Sequence, residues 1–209
     1  MVRAIASCAE PVASPLFSAA ILAGGRASRF GGRDKGSLVV EGLPILSRQL
    51  AELSQVAADV IIVGGSRPTA AGPAVRHVAD RVPGRGPLGG VQTALEEAHG
   101  HATVVVACDM PYLLAPLLRH LLELTAGADL VVPRTERGYH PLCAAYTRGC
   151  IGPIARRLAD GRLSMIDLVN DVQVRVVPYE ELALFGNPDR LLANVNTPAD
   201  YESIEANQP

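Results

Sequence analysis

The stretch Ile21–Gly36, ILAGGRASRFGGRDKG, joins the end of an apolar run to a loop with five glycines, three arginines and one lysine. The run starts at Ser18 and is typical of a buried strand that ends in a loop. Glycines let the backbone approach an anion closely, and successive N–H groups can form a concave nest for phosphate oxygens. The stretch therefore predicts a strand followed by a phosphate-binding loop.

The glycine spacing of this loop disfavours two common kinds of phosphate site. It contains neither GxGxxG, the dinucleotide-binding pattern, nor GxxxxGK[ST], the P-loop pattern. The loop has the form LAGGxxSRxGGxDKG instead, in which Arg29 and Lys35 can neutralise a polyphosphate. A merely flexible surface loop is the alternative, but its four cations would repel one another without a bound anion.

The overall composition points away from nucleic acid and membranes as partners. The chain has 209 residues and a net charge of −2, so anion recognition has to be local. Aromatic residues are few, which disfavours base-stacking surfaces, and no apolar run approaches the ~20 residues of a membrane span. We expect a single domain over residues 18–209 behind a loose tail of residues 1–17.

The cysteines lack the spacing of a metal site; they are Cys8, Cys108, Cys143 and Cys150. Cys108 and Cys143 lie in apolar runs, so we expect both to be small buried side chains. Reduced thiols of this kind suit the cytoplasm, which is the location that we predict.

Apolar runs and helical periodicity alternate along the rest of the chain. Strands are predicted at residues 18–23, 38–40, 59–63, 75–79, 102–108, 129–132, 140–146 and 172–178. Helices are predicted at residues 45–56, 88–99, 113–126 and 150–159, with a last short helix near Pro198. This alternation predicts a three-layer α/β/α sandwich with a mostly parallel, Rossmann-like central sheet.

Polar or glycine-rich segments follow three of the predicted strands, at residues 24–36, 80–90 and 109–112. Ligands of parallel α/β sheets collect at the carboxyl ends of the strands. Asp109 ends the most continuous apolar strand and can either hold Mg²⁺ or cap the next helix. A phosphate loop beside it favours the metal role.

Other candidates have a weaker basis in the residues. Asp80 either contacts a ligand or only fixes the turn after it, and Arg85 either contacts a second anionic group or is solvated. His140 is a lone histidine, which is more often structural than catalytic. Because no Ser/His/Asp or Cys/His set has a convincing loop placement, the pattern favours direct displacement by a second substrate, with charge neutralised by Lys, Arg and Mg²⁺.

Six segments, taken in order, resemble a known family: LAGGRASRFGGRDKG, VAD, GPLGG, CDMPYL, HPL and NVNTPADY. Together they are similar to the bacterial molybdenum cofactor guanylyltransferases of the MobA type. More loosely, they resemble the wider nucleotidyltransferases of the glycosyltransferase-A-like fold, the nucleotide-diphospho-sugar transferase type. The resemblance implies transfer of GMP from Mg·GTP to the terminal phosphate of molybdopterin, with attack on the α-phosphorus and release of pyrophosphate.

The resemblance also implies roles for individual residues. The expected nucleotide contacts are Leu22, Ala23, Gly24, Gly25, Arg29, Lys35, Gly64 and Asp80. Asp109 matches the Mg²⁺ ligand, and the residues expected on the pterin side are Arg85, His140, Asn194 and Asn196. Gly64 departs from the family, which often has an asparagine there, so this position can offer only backbone.

Two other functions stay open at this point. A related transferase using CTP or a sugar phosphate is disfavoured because cytidylyltransferases tend to have AAG where this chain has Ala23-Gly24-Gly25. A non-catalytic nucleotide-binding adaptor is disfavoured because Lys35 and Asp109 are both present. Transient contacts with proteins that deliver or accept the cofactor are expected, and residues 161–170 either help to hold the pterin or mediate self-association.

Overall fold

A computed structural model of the chain describes residues 17–23, 38–65 and 75–195. Its strands are β1 (Phe17–Leu22), β2 (Val39–Val40), β3 (Leu43–Pro44), β4 (Asp59–Val63), β5 (Val75–Val78), β6 (Ala102–Ala107), β7 (Leu130–Thr135), β8 (Gly138–Tyr139), β9 (Cys143–Thr147) and β10 (Val174–Val177). Its α-helices are α1 (Ile45–Leu53), α2 (Gly86–Glu97), α3 (Ala115–Glu123), α4 (Ile151–Ala159), α5 (Tyr179–Leu182) and α6 (Pro188–Leu191). Among the helices of these ranges, none has the length and apolar character needed to cross a bilayer.

One large sheet organises these elements, in the order β10-β7-β9-β6-β1-β4-β5, with β8 paired to β7. The central strands β6, β1, β4 and β5 are parallel to one another. Strand β9 runs antiparallel to both of its neighbours, and β10 is parallel to β7. The prediction of a mostly parallel, Rossmann-like sheet is confirmed.

Alternate residues of the central strands pack into two apolar cores, because successive side chains of a strand point to opposite faces. On one face, Ala19 and Ile21 of β1 pack in a core that includes residues of α1 and α3. On the other face, Ala20 and Leu22 pack in a core that includes residues of α2 and α4. The sheet is therefore the middle of three layers, as the sequence predicts.

Prolines account for two differences between the predicted and the observed ends of elements. The predicted strand at 140–146 begins only at Cys143, because Pro141 has no N–H to give to the sheet. The predicted helix at 113–126 begins at Ala115, after the extended Leu114, because Pro116 has no N–H and is tolerated only in the first turn of a helix. It ends in a short 3-10 turn, Leu124–Gly127.

The cysteines fit the prediction in part. Cys143 is buried as expected, and burial raises the pKa of its thiol to about 12. Cys108 is only partly buried, because it packs against the core where β6 has just ended. Cys8 lies outside the described residues.

A buried polar cluster closes the amino-terminal edge of the sheet around Asp59. Its carboxylate accepts hydrogen bonds from the Ser18 hydroxyl at 2.7 Å, the His99 N–H at 3.0 Å and the Arg76 guanidinium at 2.9 and 3.1 Å. Burial alone would raise the pKa of Asp59, but these hydrogen bonds and the Arg76 charge outweigh it, so the pKa is lowered. The charged form of Asp59 therefore stabilises the fold.

Asp59→Ala is expected to lower the free energy of unfolding at neutral pH by about 2–3 kcal/mol, since several donors lose a charged acceptor. A group whose pKa is lower in the folded state contributes stability above its unfolded pKa of about 3.9, and that stability is lost as the pH falls through the folded pKa. The difference in unfolding free energy between wild type and Asp59→Asn should thus shrink below about pH 4. Urea unfolding at several pH values measures it; a difference that stays constant across this range would contradict the role of the charge.

Candidate active site

The carboxyl edge of the sheet brings three strand ends together. Leu22 at the end of β1 is in register with Val63 at the end of β4 and with Ala107 at the end of β6. The backbone continues this alignment beyond the strands, because the Ala23 N–H donates to Val63 O at 2.9 Å and the Cys108 N–H donates to Leu22 O at 3.3 Å. The predicted convergence at this edge is therefore present for Ala23 and Asp109.

Asp109 is the carboxylate at the centre of this edge. It is 7% exposed, and the Asn194 side-chain amide donates to its Oδ1 at 3.2 Å across 85 residues of sequence. The N–H of Val195 donates to the backbone carbonyl of Asp109 at 2.9 Å. Asp109, the expected Mg²⁺ ligand, is thus in direct contact with Asn194, which is expected on the pterin side.

The turn after β4 is built from two glycines at positive φ, Gly64 and Gly65. The Gly64 N–H donates to Val78 O at 2.9 Å, and its carbonyl lies 2.9 Å from His77 Nε2, so both backbone groups have protein partners. A Cβ on Gly65 would lie 2.9 Å from both the Cβ and the carbonyl oxygen of Ala23. Gly65 is therefore what lets the β4 turn approach the end of β1 so closely.

Asp80 organises the turn that leads into α2. Its Oδ1 accepts hydrogen bonds from the Val82 N–H at 2.9 Å and the Thr93 hydroxyl at 3.3 Å. Arg81 forms ion pairs with Glu96 and Glu97 of α2. The turn-fixing role of Asp80 is visible in these contacts, and Arg85, at the start of α2, is exposed.

His140 lies in the turn before β9, near the same edge, since Leu142 O accepts a hydrogen bond from the Ala107 N–H at 2.9 Å. Its Nε2 is 2.8 Å from the Thr135 hydroxyl. Burial lowers the pKa of His140, the positive charge of Arg137 lowers it further, and Asp189 opposes the shift. The imidazole is therefore held neutral near neutral pH.

Gln49 is a polar residue of this region that the sequence pattern did not single out. It is 1% exposed, and its side-chain amide donates to Ala107 O at 2.7 Å and to Met110 O at 3.0 Å. The available signal was its position, four residues from both Ile45 and Leu53 on the buried face of α1. A polar residue within an apolar helical stripe indicates a buried hydrogen-bonding task.

The described ranges contain no group of three or more His, Cys, Asp or Glu side chains that could enclose a metal ion. Mg²⁺ does not need such a cage, because it usually takes one or two carboxylates together with waters and substrate phosphates. A single well-held carboxylate, Asp109, at an edge where phosphates are expected fits that mode of binding.

The remaining predicted site residues lie outside the described residues; they are Gly24, Gly25, Arg29, Lys35 and Asn196. Their assignments stay predictions from the sequence. Ala23, which leads into the glycine-rich segment, and Val195, which precedes Asn196, both lie at the carboxyl edge beside Asp109.

Known proteins resemble this chain over most of its length. A family model described as the MobA-like NTP transferase domain matches residues 19–173. A probable molybdenum cofactor guanylyltransferase from Pelotomaculum thermopropionicum is 38% identical over 180 residues, which cover 86% of this chain and 87% of that protein. Another from Carboxydothermus hydrogenoformans is 33% identical over 190 residues, covering 90% and 94%. The crystal structure of molybdopterin-guanine dinucleotide biosynthesis protein A from Archaeoglobus fulgidus has a TM-score of 0.75 at 25% identity, covering 90% of this chain and 97% of that one.

Proposed function

The chain belongs to the MobA-like NTP transferase domain family, and from this membership we propose that it transfers GMP from GTP to the terminal phosphate of molybdopterin. The products are the molybdopterin guanine dinucleotide cofactor and pyrophosphate. The observation that carries the proposal is the position of Asp109, held by Asn194 and Val195 beside the end of the strand that leads into the glycine-rich segment.

The reaction is a direct displacement at the α-phosphorus of GTP. An oxygen of the pterin phosphate forms the new bond to this phosphorus, the bond to the oxygen bridging the α- and β-phosphates breaks, and pyrophosphate takes the electron pair. Lys35 and Arg29 neutralise the phosphate charge and align the chain of phosphates. Asp109 would hold Mg²⁺, whose charge would neutralise the phosphate oxygens as negative charge builds up on the leaving group.

The two substrates occupy different parts of the carboxyl edge in this proposal. The nucleotide contacts are assigned to Leu22, Ala23, Gly24, Gly25, Gly64 and Asp80, and the pterin side to Arg85, His140, Asn194 and Asn196. The partners observed for Gly64 support only a limited role there, since its N–H is already donated to Val78. The contact between Asn194 and Asp109 supports a pterin phosphate that approaches beside the metal ligand.

We also propose the cytoplasm as the place of the reaction. The cysteines of the described part of the chain carry thiols rather than disulfides, which suits a reducing compartment. Neither substrate requires a membrane or a nucleic acid. Proteins that deliver molybdopterin or accept the finished cofactor remain proposed transient partners.

Pyrophosphate release tests the proposed activity. The protein is incubated with Mg²⁺ and either GTP or CTP, with and without molybdopterin. We expect release only with GTP and molybdopterin together, because the pterin phosphate is the nucleophile. Release from GTP without molybdopterin would contradict the proposed acceptor, and equal release from CTP would contradict the proposed base.

A further inference from the structure

Helix α1 contacts the turn that carries Asp109 through a buried side chain. Gln49 of α1 donates both hydrogens of its amide to carbonyls on either side of Asp109, those of Ala107 and Met110. The amide orientation follows from these partners, because two carbonyl acceptors require the NH₂ group. We propose that Gln49 is a positioning residue for Asp109, which holds the turn so that the carboxylate meets the metal and the triphosphate; this inference rests on the proposed function.

Because Gln49 is buried, loss of these two hydrogen bonds is expected to displace the turn. Gln49 is 1% exposed and Met110 is 2% exposed, so the two hydrogen bonds lie in an apolar environment. A buried carbonyl that loses its donor has to find another partner or shift toward one. When Gln49 is replaced by an apolar side chain, the turn that carries Asp109 is the part that must move.

The turn is also held from a second side, by contacts that do not involve Gln49. The Val195 N–H donates to Asp109 O, and the Val195 side chain packs with Val40 and Ile45 at the start of α1. Loss of the Gln49 amide therefore removes two of the hydrogen bonds that hold the turn, while those from Asn194 and Val195 to Asp109 stay in place. The expected result is a displaced carboxylate in a folded chain.

Neighbouring side chains of α1 bind the segment beyond the turn. Arg48 donates to Pro111 O at 3.1 Å, and the Ala115 N–H at the start of α3 donates to Glu52 at 2.6 Å. These contacts do not involve Gln49 and keep α1 attached to the segment when Gln49 is changed. The effect of a Gln49 substitution should therefore be local to Asp109.

Helix α1 also follows the glycine-rich segment closely along the chain, through the hairpin of β2 and β3. The Ile45 N–H donates to Leu38 O at 2.9 Å, which joins the start of α1 to the residue that enters the hairpin. One helix is thus connected to the segment that carries Lys35 and, through Gln49, to the turn that carries Asp109.

The test measures metal binding directly and does not depend on turnover. Mn²⁺ is titrated into the protein with GTP and followed by electron paramagnetic resonance for wild type, Gln49→Met, Gln49→Asn and Asp109→Ala. Gln49→Met keeps the side-chain volume and removes both donors, so we expect Mn²⁺ to bind about 10–100-fold more weakly, the usual effect of losing a group that orients a metal ligand. Gln49→Asn keeps the amide on a shorter side chain and should give an intermediate loss.

The matched control is Gln55→Leu, which also removes a side-chain amide, from the turn that directly follows α1. The Gln55 side chain is exposed and donates to Ala51 O of α1, so the Mn²⁺ binding of Gln55→Leu should equal that of wild type. The double variant Gln49→Met/Asp109→Ala should bind no more weakly than Asp109→Ala alone, because Gln49 acts through Asp109. Thermal unfolding of each variant confirms that the measured chains are folded.

Two results would overturn the inference, and only one of them would also contradict the proposed function. Wild-type Mn²⁺ binding by Gln49→Met, with binding lost in Asp109→Ala, would reject the positioning role of Gln49 and leave the proposed function intact. Wild-type binding by Asp109→Ala would reject the metal role of Asp109 itself and would remove a premise of the proposed function as well.

Discussion

Asp109→Ala is expected to lower the turnover of GTP and molybdopterin by about 10²–10³-fold, the usual effect of removing one positioned electrostatic group. The carboxylate is 7% exposed and accepts a hydrogen bond from Asn194, which constrains its orientation. Steady-state rates of pyrophosphate release measure the effect. The chain should stay folded, because Asp109 lies at an edge of the sheet rather than in either apolar core.

Asp59→Asn provides the matched control for this substitution. It also changes a nearly buried aspartate, but one at the amino-terminal edge of the sheet, where β1 and β4 begin. We expect it to cost stability and to leave the rate of the folded enzyme near that of wild type. Near-normal turnover in Asp109→Ala would contradict the metal role that we assign to Asp109.

Lys35→Ala is expected to have an effect of similar size, a loss of about 10²–10³ in turnover. Lys35 lies outside the described residues, so the prediction rests on its motif, GGxDKG, and on its charge. It is the only lysine in the chain, in which every other basic side chain apart from histidine is an arginine. A compact ammonium group at this one position suits binding of phosphate oxygens as a point charge.

Lys35→Arg tests whether a positive charge at this position is sufficient or whether the compact ammonium group is needed. Arginine keeps the positive charge but presents a wider, planar group, so we expect only partial activity. The KM for GTP and kcat, measured for both variants, show whether the ammonium acts on the ground state or mainly on the transition state. Full activity of Lys35→Ala would contradict the reading of the glycine-rich segment as a catalytic phosphate loop.

The central sheet could be predicted from the sequence because its strands are nearly uninterrupted apolar runs. Strands β1, β4 and β6 are buried on both faces, which requires such runs in a parallel sheet. The turn before β9 was harder to predict, because Leu142 is as apolar as the strand that it precedes. Pro141 beside it decides where hydrogen bonding to β6 begins.

The candidate site could be predicted only in part, and for a physical reason. Asp109 is recognisable because it ends an apolar strand, and local sequence is enough to place it at the carboxyl edge. Its contact with Asn194 joins residues that are 85 positions apart, and no local sequence pattern predicts such a contact. Only the family resemblance assigned both residues to the same site. The role of Gln49 could not be predicted from the sequence, because it depends on the carbonyls that its side chain contacts after folding and not on its neighbours in the chain.

The identity of the transferred nucleotide tests the central claim most directly. The wild-type protein is given molybdopterin, Mg²⁺ and an equimolar mixture of GTP and CTP, and the dinucleotide product is identified by its mass. We predict that the product is molybdopterin guanine dinucleotide and that pyrophosphate is released in equal amount. A cytosine dinucleotide formed in comparable or greater amount, or no dinucleotide product at all from the folded protein, would contradict the account.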